Sequence, residues 1–337
     1  MSFACTGNTV LGSAPPPSRG QDASGVEAAA ELGLTPPPPA DDGGVTADVT
    51  ADTVTEVPPS TDVVVPAEPK VWILFDSLRA LNRDVYAVRP DGSDLRRLTE
   101  DPASDQEPAV SPDGESLLFS SNRAGVFQIY KAALGRVMST GAPVTQLTQG
   151  PGPAMHPAWS SDGKQIAYSG PDGIVLMNAD GTDANVVMPR QSAPPLANPS
   201  FSRDNRLFAD GYNSIHERSA DGSHIVAIIP GFTGPTQHPS ITQDGHQMVF
   251  SVMCETQHNS IWLVALGGTI DVCGTGVRLT PAGTASSRFP SVNSAGEIAF
   301  EMGDGPSKIA LLFAAPNLRT ITDGPSDDRN PTWATVP

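Results

Sequence analysis

Cysteine, basic residues and long apolar runs are all scarce in this chain of 337 residues. Cys5, Cys254 and Cys273 are its only cysteines, an odd number that allows one internal bridge at most. Twenty Lys and Arg face 37 Asp and Glu, for a net charge of −17. With no Lys/Arg cluster, the chain lacks the electrostatic footprint of a nucleic-acid binder, and its charge reads as a solubilising surface. No apolar run approaches the roughly 20 residues of a membrane-spanning helix, and Ile309 to Ala315 is strand-sized.

Catalytic signatures are equally sparse. There is no Gly-x-Ser-x-Gly elbow, and no Gly-rich phosphate loop joins a strand to a helix. His216-Glu217 opens a metalloprotease-like pattern, but Ala220 stands where the second His belongs. His216 is therefore read as a surface or half-buried strand residue.

What the chain does have is a repeated phrase. It reads Glu107-Pro108-Ala109-Val110-Ser111-Pro112-Asp113-Gly114, then His156-Pro157-Ala158-Trp159-Ser160-Ser161-Asp162-Gly163. Versions recur at Asn198-Pro199, His238-Pro239, Phe289-Pro290 and Asn330-Pro331, with prolines 49, 42, 40, 51 and 41 residues apart. Each phrase precedes short β-branched and aromatic runs, such as Leu117-Leu118-Phe119, Ile166-Ala167-Tyr168 and Met248-Val249-Phe250. A period near forty with four strand-like runs per unit predicts an all-β, six-bladed β-propeller. Asp113, Asp162, Asp204 and Asp244 are expected to close hairpins between first and second strands, where Asp and Gly or Asn tolerate the turn and the carboxylate accepts a local N–H. Asp91-Gly92, Asp180-Gly181 and Asp221-Gly222 form a second turn series, between third and fourth strands.

The ends complete the ring. Val71 to Phe75, Val85 to Val88 and Leu95 to Thr99 lack a Pro-containing strand before them, and Asn330 to Val336 lacks strands after it. The C-terminal strand should close the first blade and remove the open edge. The propeller then occupies 71–337. Residues 1–70 carry ten acidic and two basic residues, with Phe3 as the only aromatic. Such a Pro-rich segment is expected to be a disordered tether.

The phrase Pro-x-[aromatic or aliphatic]-Ser-x-Asp-Gly and the Leu98-Thr99, Leu147-Thr148 and Leu279-Thr280 endings resemble the repeat of TolB-like propellers. That resemblance implies a periplasmic module of Gram-negative bacteria that binds other envelope proteins, such as the peptidoglycan-associated lipoprotein. TolB carries a folded α/β domain before its propeller, where this sequence has the Pro-rich segment. The same repeat occurs in prolyl-oligopeptidase-type peptidases and in some carbohydrate lyases. Ser2-Phe3-Ala4-Cys5 and the following Pro/Asp/Thr-rich stretch resemble the end of a lipoprotein signal and its tether, which would make Cys5 a lipidation site and its lipid the only membrane contact.

Candidate site residues precede the repeat prolines. Glu107, His156, Asn198, His238, Phe289 and Asn330 should ring the mouth of the central channel, where concave loop-lined surfaces take ligands. Glu107, His156 and His238 have the chemistry of metal ligands, but their origin in blades two, three and five argues against one shared ion. Cys254, Glu255, His258 and Cys273 form a second cluster with zinc-ligand spacing. Cys254 and Cys273 could form an extracytoplasmic disulfide, although their loops are expected on opposite faces and a bridge spans only about 7 Å between Cα atoms. Asp105, Glu107, Asp327 and Asp328 could form an acidic patch at the mouth. The reading is a monomeric, non-enzymatic binding module for an envelope protein or peptide, with no cofactor and no nucleic acid. The alternative is a metal-assisted carbohydrate lyase or hydrolase using His156 and His238; a third is a scaffold with no specific ligand.

Overall fold

The computed structural model describes residues 70–336 apart from 141–142, 191–195, 212–213, 220, 230–236, 255–257, 268–273, 275, 282 and 314–316. Its strands form six sheets of four antiparallel strands each. The innermost strands are Asp328–Val336, Asp105–Val110, Met155–Trp159, Ala197–Phe201, Gln237–Ile241 and Ser287–Val292, for blades one to six. The C-terminal strand pairs with Lys70–Ser77, from Lys70 opposite Val336 to Ser77 opposite Asp328. Closure of the first blade by the end of the chain, expected from the sequence, is thus present.

Hydrophobic cores lie between successive blades. Trp72, Leu74 and Val85 of blade one pack on Leu117, Phe119 and Tyr130 of blade two. Ile73, Phe75 and Tyr86 pack on Ala299, Ile309 and Leu311 of blade six, so the ring has no uncovered sheet face at the seam. Phe75, Phe119, Phe208, Phe250 and Phe300 are completely buried on their second strands. Each contributes about 1.5–3 kcal/mol, and Phe75, Phe119, Phe250 and Phe300 pack in cores shared by two blades.

The recurring Ser, Asp and Thr of the sequence have separate tasks. In the first hairpins, Ser111 Oγ accepts the Ser116 N–H at 2.8 Å and Asp113 Oδ1 accepts the Glu115 N–H at 3.0 Å. Ser160 with Gln165 and Asp162 with Lys164 repeat this at 2.9 and 3.1 Å. Gly114 and Gly163, at φ of 74° and 69°, complete the turns in a region that side chains disfavour. The Leu-Thr endings lie beyond fourth strands shorter than expected, Arg96–Arg97 in blade one and Thr145–Gln146 in blade two. There Thr99, Thr148 and Thr280 accept the N–H of Val85, Ile129 and Ile261 on the third strands, at 2.9–3.1 Å. The Leu98, Leu147 and Leu279 N–H groups donate to the carbonyls of the same three residues at 2.8 Å, so the Thr side chain supplies the other half of each ladder pair. A helix absent from the sequence reading, Leu134–Thr140, follows the third strand of blade two and lengthens that repeat.

Candidate functional site

The six residues before the repeat prolines share a rare conformation. Glu107, His156, Asn198, His238, Phe289 and Asn330 have φ of 57°, 54°, 49°, 51°, 52° and 52°. Left-handed backbone is uncommon outside Gly and Asn, and it marks strain held by the surrounding structure. At each of these positions the pairing of the inner strand with its neighbour skips register, as between Gln106 and Ala109 or Met155 and Ala158. A bulge at each proline thus turns one side chain per blade toward the channel axis.

These side chains meet. Glu107 Oε1 lies 3.0 Å from His156 Nε2, the His156 and His238 rings are 5.9 Å apart edge to face, and the His238 and Phe289 rings are 3.9 Å apart. The ring lies near the entry end of the inner strands, at their second or third residue. It forms the floor of a pocket of about 280 Å³, whose walls rise through Ala109, Trp159, Phe201, Ser240 and Thr332 toward the first-hairpin turns.

A second polar shell supports the floor. The strand partners of the residues just before the ring are Asp76, Ser120, Ser169, Asp210, Ser251 and Glu301. Asp76 Oδ1 accepts the Glu107 N–H at 3.1 Å and the Asn330 amide at 2.7 Å, while Arg83 Nη1 donates to Oδ2 at 2.7 Å. Ser120 Oγ donates to Glu107 Oε2 at 2.8 Å, and the His156 N–H reaches the same oxygen at 2.7 Å. Asp210 accepts the Asn198 amide on both oxygens, at 3.0 and 2.9 Å, and the His238 N–H at 2.9 Å. Carboxylates of one blade therefore hold bulge N–H groups of the next. Sequence reasoning missed Asp76, Asp210 and Glu301. Their signal was a lone acid ending an apolar run, as in Trp72-Ile73-Leu74-Phe75-Asp76.

Burial sets the protonation of the site. It pushes Asp76 up to about 6, against the opposing pull of Arg83, Asn330 and the Glu107 N–H. It pushes Asp210 up to about 7, although the Asn198 and His238 hydrogen bonds favour the anion. Burial also acts on Glu107 and His156, but their mutual attraction outweighs it, so the Glu107 carboxyl sits below its ordinary value and the His156 imidazole above. His238 lies well below its ordinary value, through burial and the nearby His156 charge, and is neutral.

The other candidates resolve differently. Glu107, His156 and His238 are closer than their blades suggested, but both Glu107 oxygens are engaged, and no group of three potential ligands among the described residues is arranged to hold a metal. Asp105, Asp327 and Asp328 form no open acidic patch: Arg123 pairs with Asp105, Arg83 and Arg329 with Asp327, and Arg79 with Asp328. In the second cluster, His258 pairs with Asp304 at 3.0 Å, and Cys254 is disulfide-bonded, which overturns the geometric argument against a bridge there and removes the thiolate zinc would need. Glu255, Cys273 and Cys5 lie outside the described residues, as does all of 1–69. His216 is half-buried on Ile215–Arg218, with Nε2 2.9 Å from Ser214 Oγ.

Residues 72–169 match the family described as the TolB beta propeller domain, PD40. Over 51 residues the chain is 45% identical to the Tol-Pal system protein TolB of Bordetella pertussis, covering 15% of this chain and 12% of that protein. The crystal structure of TolB from Acinetobacter baumannii superposes with a TM-score of 0.64 at 15% identity, over 78% of this chain and 66% of that one. This chain is a TolB-like six-bladed propeller. A structure described as a putative TolB from Agrobacterium tumefaciens gives a TM-score of 0.57 at 17% identity, over 80% of this chain and 99% of that one. At such identities the structural likeness speaks to fold, and the TolB-like propeller matches only about an eighth of the Bordetella protein's length, 12%.

Proposed function

We propose that this propeller is a non-enzymatic module that binds an envelope protein or peptide outside the cytoplasm, with its partner seated in the pocket above the floor ring. The observation that carries this reading is the ring itself. Six non-glycine residues are held at φ of 49–57° around one pocket floor, and backbone held in this way clusters at ligand sites. The resemblance of the matched segments to TolB, a protein of the Tol-Pal system, supplies the envelope context. The disulfide at Cys254 fits an oxidising compartment. Anchoring through a lipid on Cys5 and a monomeric state belong to the same proposal.

The enzyme alternative finds no support in the geometry. Glu107 and His156 neutralise each other, and the nitrogen of His156 that faces Glu107 is not free to act as a base. The test is a crosslinking pull-down from native envelopes with the wild type and a Glu107→Ala, His156→Ala, His238→Ala variant, each checked for folding by circular dichroism. The reading expects a partner that the folded variant no longer captures. A partner captured equally by both removes the pocket from the account.

A further inference from the structure

Charge is balanced unevenly around the floor. Four carboxylates lie on the ring or in the shell behind it. Asp76 pairs with Arg83 at 2.7 Å, Glu107 with His156 at 3.0 Å, and Glu301 with Arg288 at 2.9 Å. Asp210 has no ion pair among the described residues; its partners are the Asn198 amide and the His238 N–H. It is 4% exposed, so water does little to offset its charge. The cation whose field reaches it is His156, already bound to Glu107. His238 on the neighbouring inner strand is neutral, and His216 on the adjoining strand turns to Ser214.

Buried polar atoms around the pocket lack partners among the described residues, including Asn198 Oδ1, His238 Nδ1, whose role depends on its tautomer, and Trp159 Nε1, a donor. Asn198 spends its amide N–H₂ on Asp210, which fixes Asn198 Oδ1 as an acceptor with no partner. His238 Nδ1 has none either. An unsatisfied buried polar atom costs about 1–3 kcal/mol. The walls carry the six repeat prolines, Trp159 and Phe201 beside Ser200, Ser240 and Thr332, and among the described residues no Lys or Arg lines the pocket. Aromatic faces of this kind also favour a cation.

We propose that the pocket recognises a positively charged group on its partner, a lysine ammonium, an arginine guanidinium or a terminal amine, at the blade-four and blade-five side of the floor above Asn198 and Asp210. This rests on the protein-binding reading. The incoming cation would donate to Asn198 Oδ1, and to His238 Nδ1 in the tautomer that leaves it bare, and lie in the field of the Asp210 carboxylate behind Asn198. Asp210 is a positioning residue in this arrangement, since Asn198 stands between it and the pocket. Because burial raises Asp210 to about 7, cation binding should weaken as pH falls below 7 and the carboxyl takes up a proton.

The test uses two probes of the same shape, n-propylguanidinium and neutral n-propylurea, titrated into the full chain while the His238 ring is followed by NMR. The expected result is saturable binding of the guanidinium, about tenfold tighter than the urea. Asp210→Asn should bring the two to parity. Equal affinities in the wild type overturn the proposal without any variant, as does a guanidinium affinity that Asp210→Asn leaves unchanged in a folded protein. The pull-down separates this from the broader reading. A captured partner without guanidinium preference leaves the binding module standing and removes the cation; guanidinium binding without a captured partner does the reverse.

Discussion

Glu107 and His156 lie 3.0 Å apart, carboxylate to imidazole, and join the inner strands of two successive blades at the centre of the ring. The carboxylate also takes the His156 N–H at 2.7 Å, so one side chain fixes both the backbone and the ring of its neighbour. This contact makes a feature of the sequence repeat, the variable residue before each proline, into a structural joint.

Glu107→Gln should lower the pKa of His156, because burial then acts on it with the opposing carboxylate gone. The stability lost has a defined window. Glu107 is lowered from 4.5 and His156 raised from 6.5, so the pair contributes fully between those values. Its contribution fades as pH falls through the folded value of Glu107 or rises through that of His156. We expect a loss of about 2 kcal/mol near pH 6, shrinking at high pH. Urea denaturation at several pH values, with NMR titration of His156, measures both effects.

Asp210→Asn should change the pH dependence of stability in the other sense. The folded protein holds the Asp210 proton to about 7, whereas the unfolded chain releases it near 3.8. The wild type therefore loses stability from this group as pH rises between those values, and Asp76 acts likewise up to about 6. Relative to the wild type, the variant should gain on the order of 2–4 kcal/mol between pH 5 and 8. Melting curves across that range would show parallel profiles if Asp210 has no raised pKa.

Thr148→Val tests the side-chain continuation of the third strand. Thr148 Oγ1 accepts the Ile129 N–H at 2.9 Å and donates to Gln128 Oε1 at 2.7 Å, and all three residues are buried. The near-isosteric change strands a buried N–H and should cost about 1–3 kcal/mol. An unchanged denaturation midpoint would mean that the Thr of the repeat serves another purpose.

Phe289 is the ring member least suited to its backbone, a bulky side chain at φ of 52°. Phe289→Asn supplies a residue that tolerates this region, so the change in stability should stay within about 1 kcal/mol despite lost packing. The His238 ring, 3.9 Å away, should lose apolar cover and rise toward its ordinary pKa. An NMR titration of His238 reads this shift.

The architecture was legible because each blade repeats its punctuation. Pro, Ser, Asp and Gly sit at fixed offsets, and the truncated phrase at Asn330 announced the closing strand. The site was half legible. Polar residues before proline stood out at Glu107, His156, Asn198, His238 and Asn330, yet nothing local in the sequence showed that each bulges inward. Asp76, Asp210 and Glu301 were invisible for a related reason. A charged residue at the end of an apolar strand ordinarily marks an exit to solvent, and here it is buried, held by side chains of its own blade and, at Asp76 and Asp210, by a bulge N–H of the next.

The central claim is that the partner sits in this pocket, and site-specific photo-crosslinking tests it most directly. A photoreactive residue at Ser240 or Thr332, both on the pocket wall, should capture the partner in native envelopes. The same residue at Leu81, fully exposed on the opposite face between the second and third strands of blade one, should not. Capture from Leu81 but not from Ser240 or Thr332 would place the partner elsewhere and contradict the account.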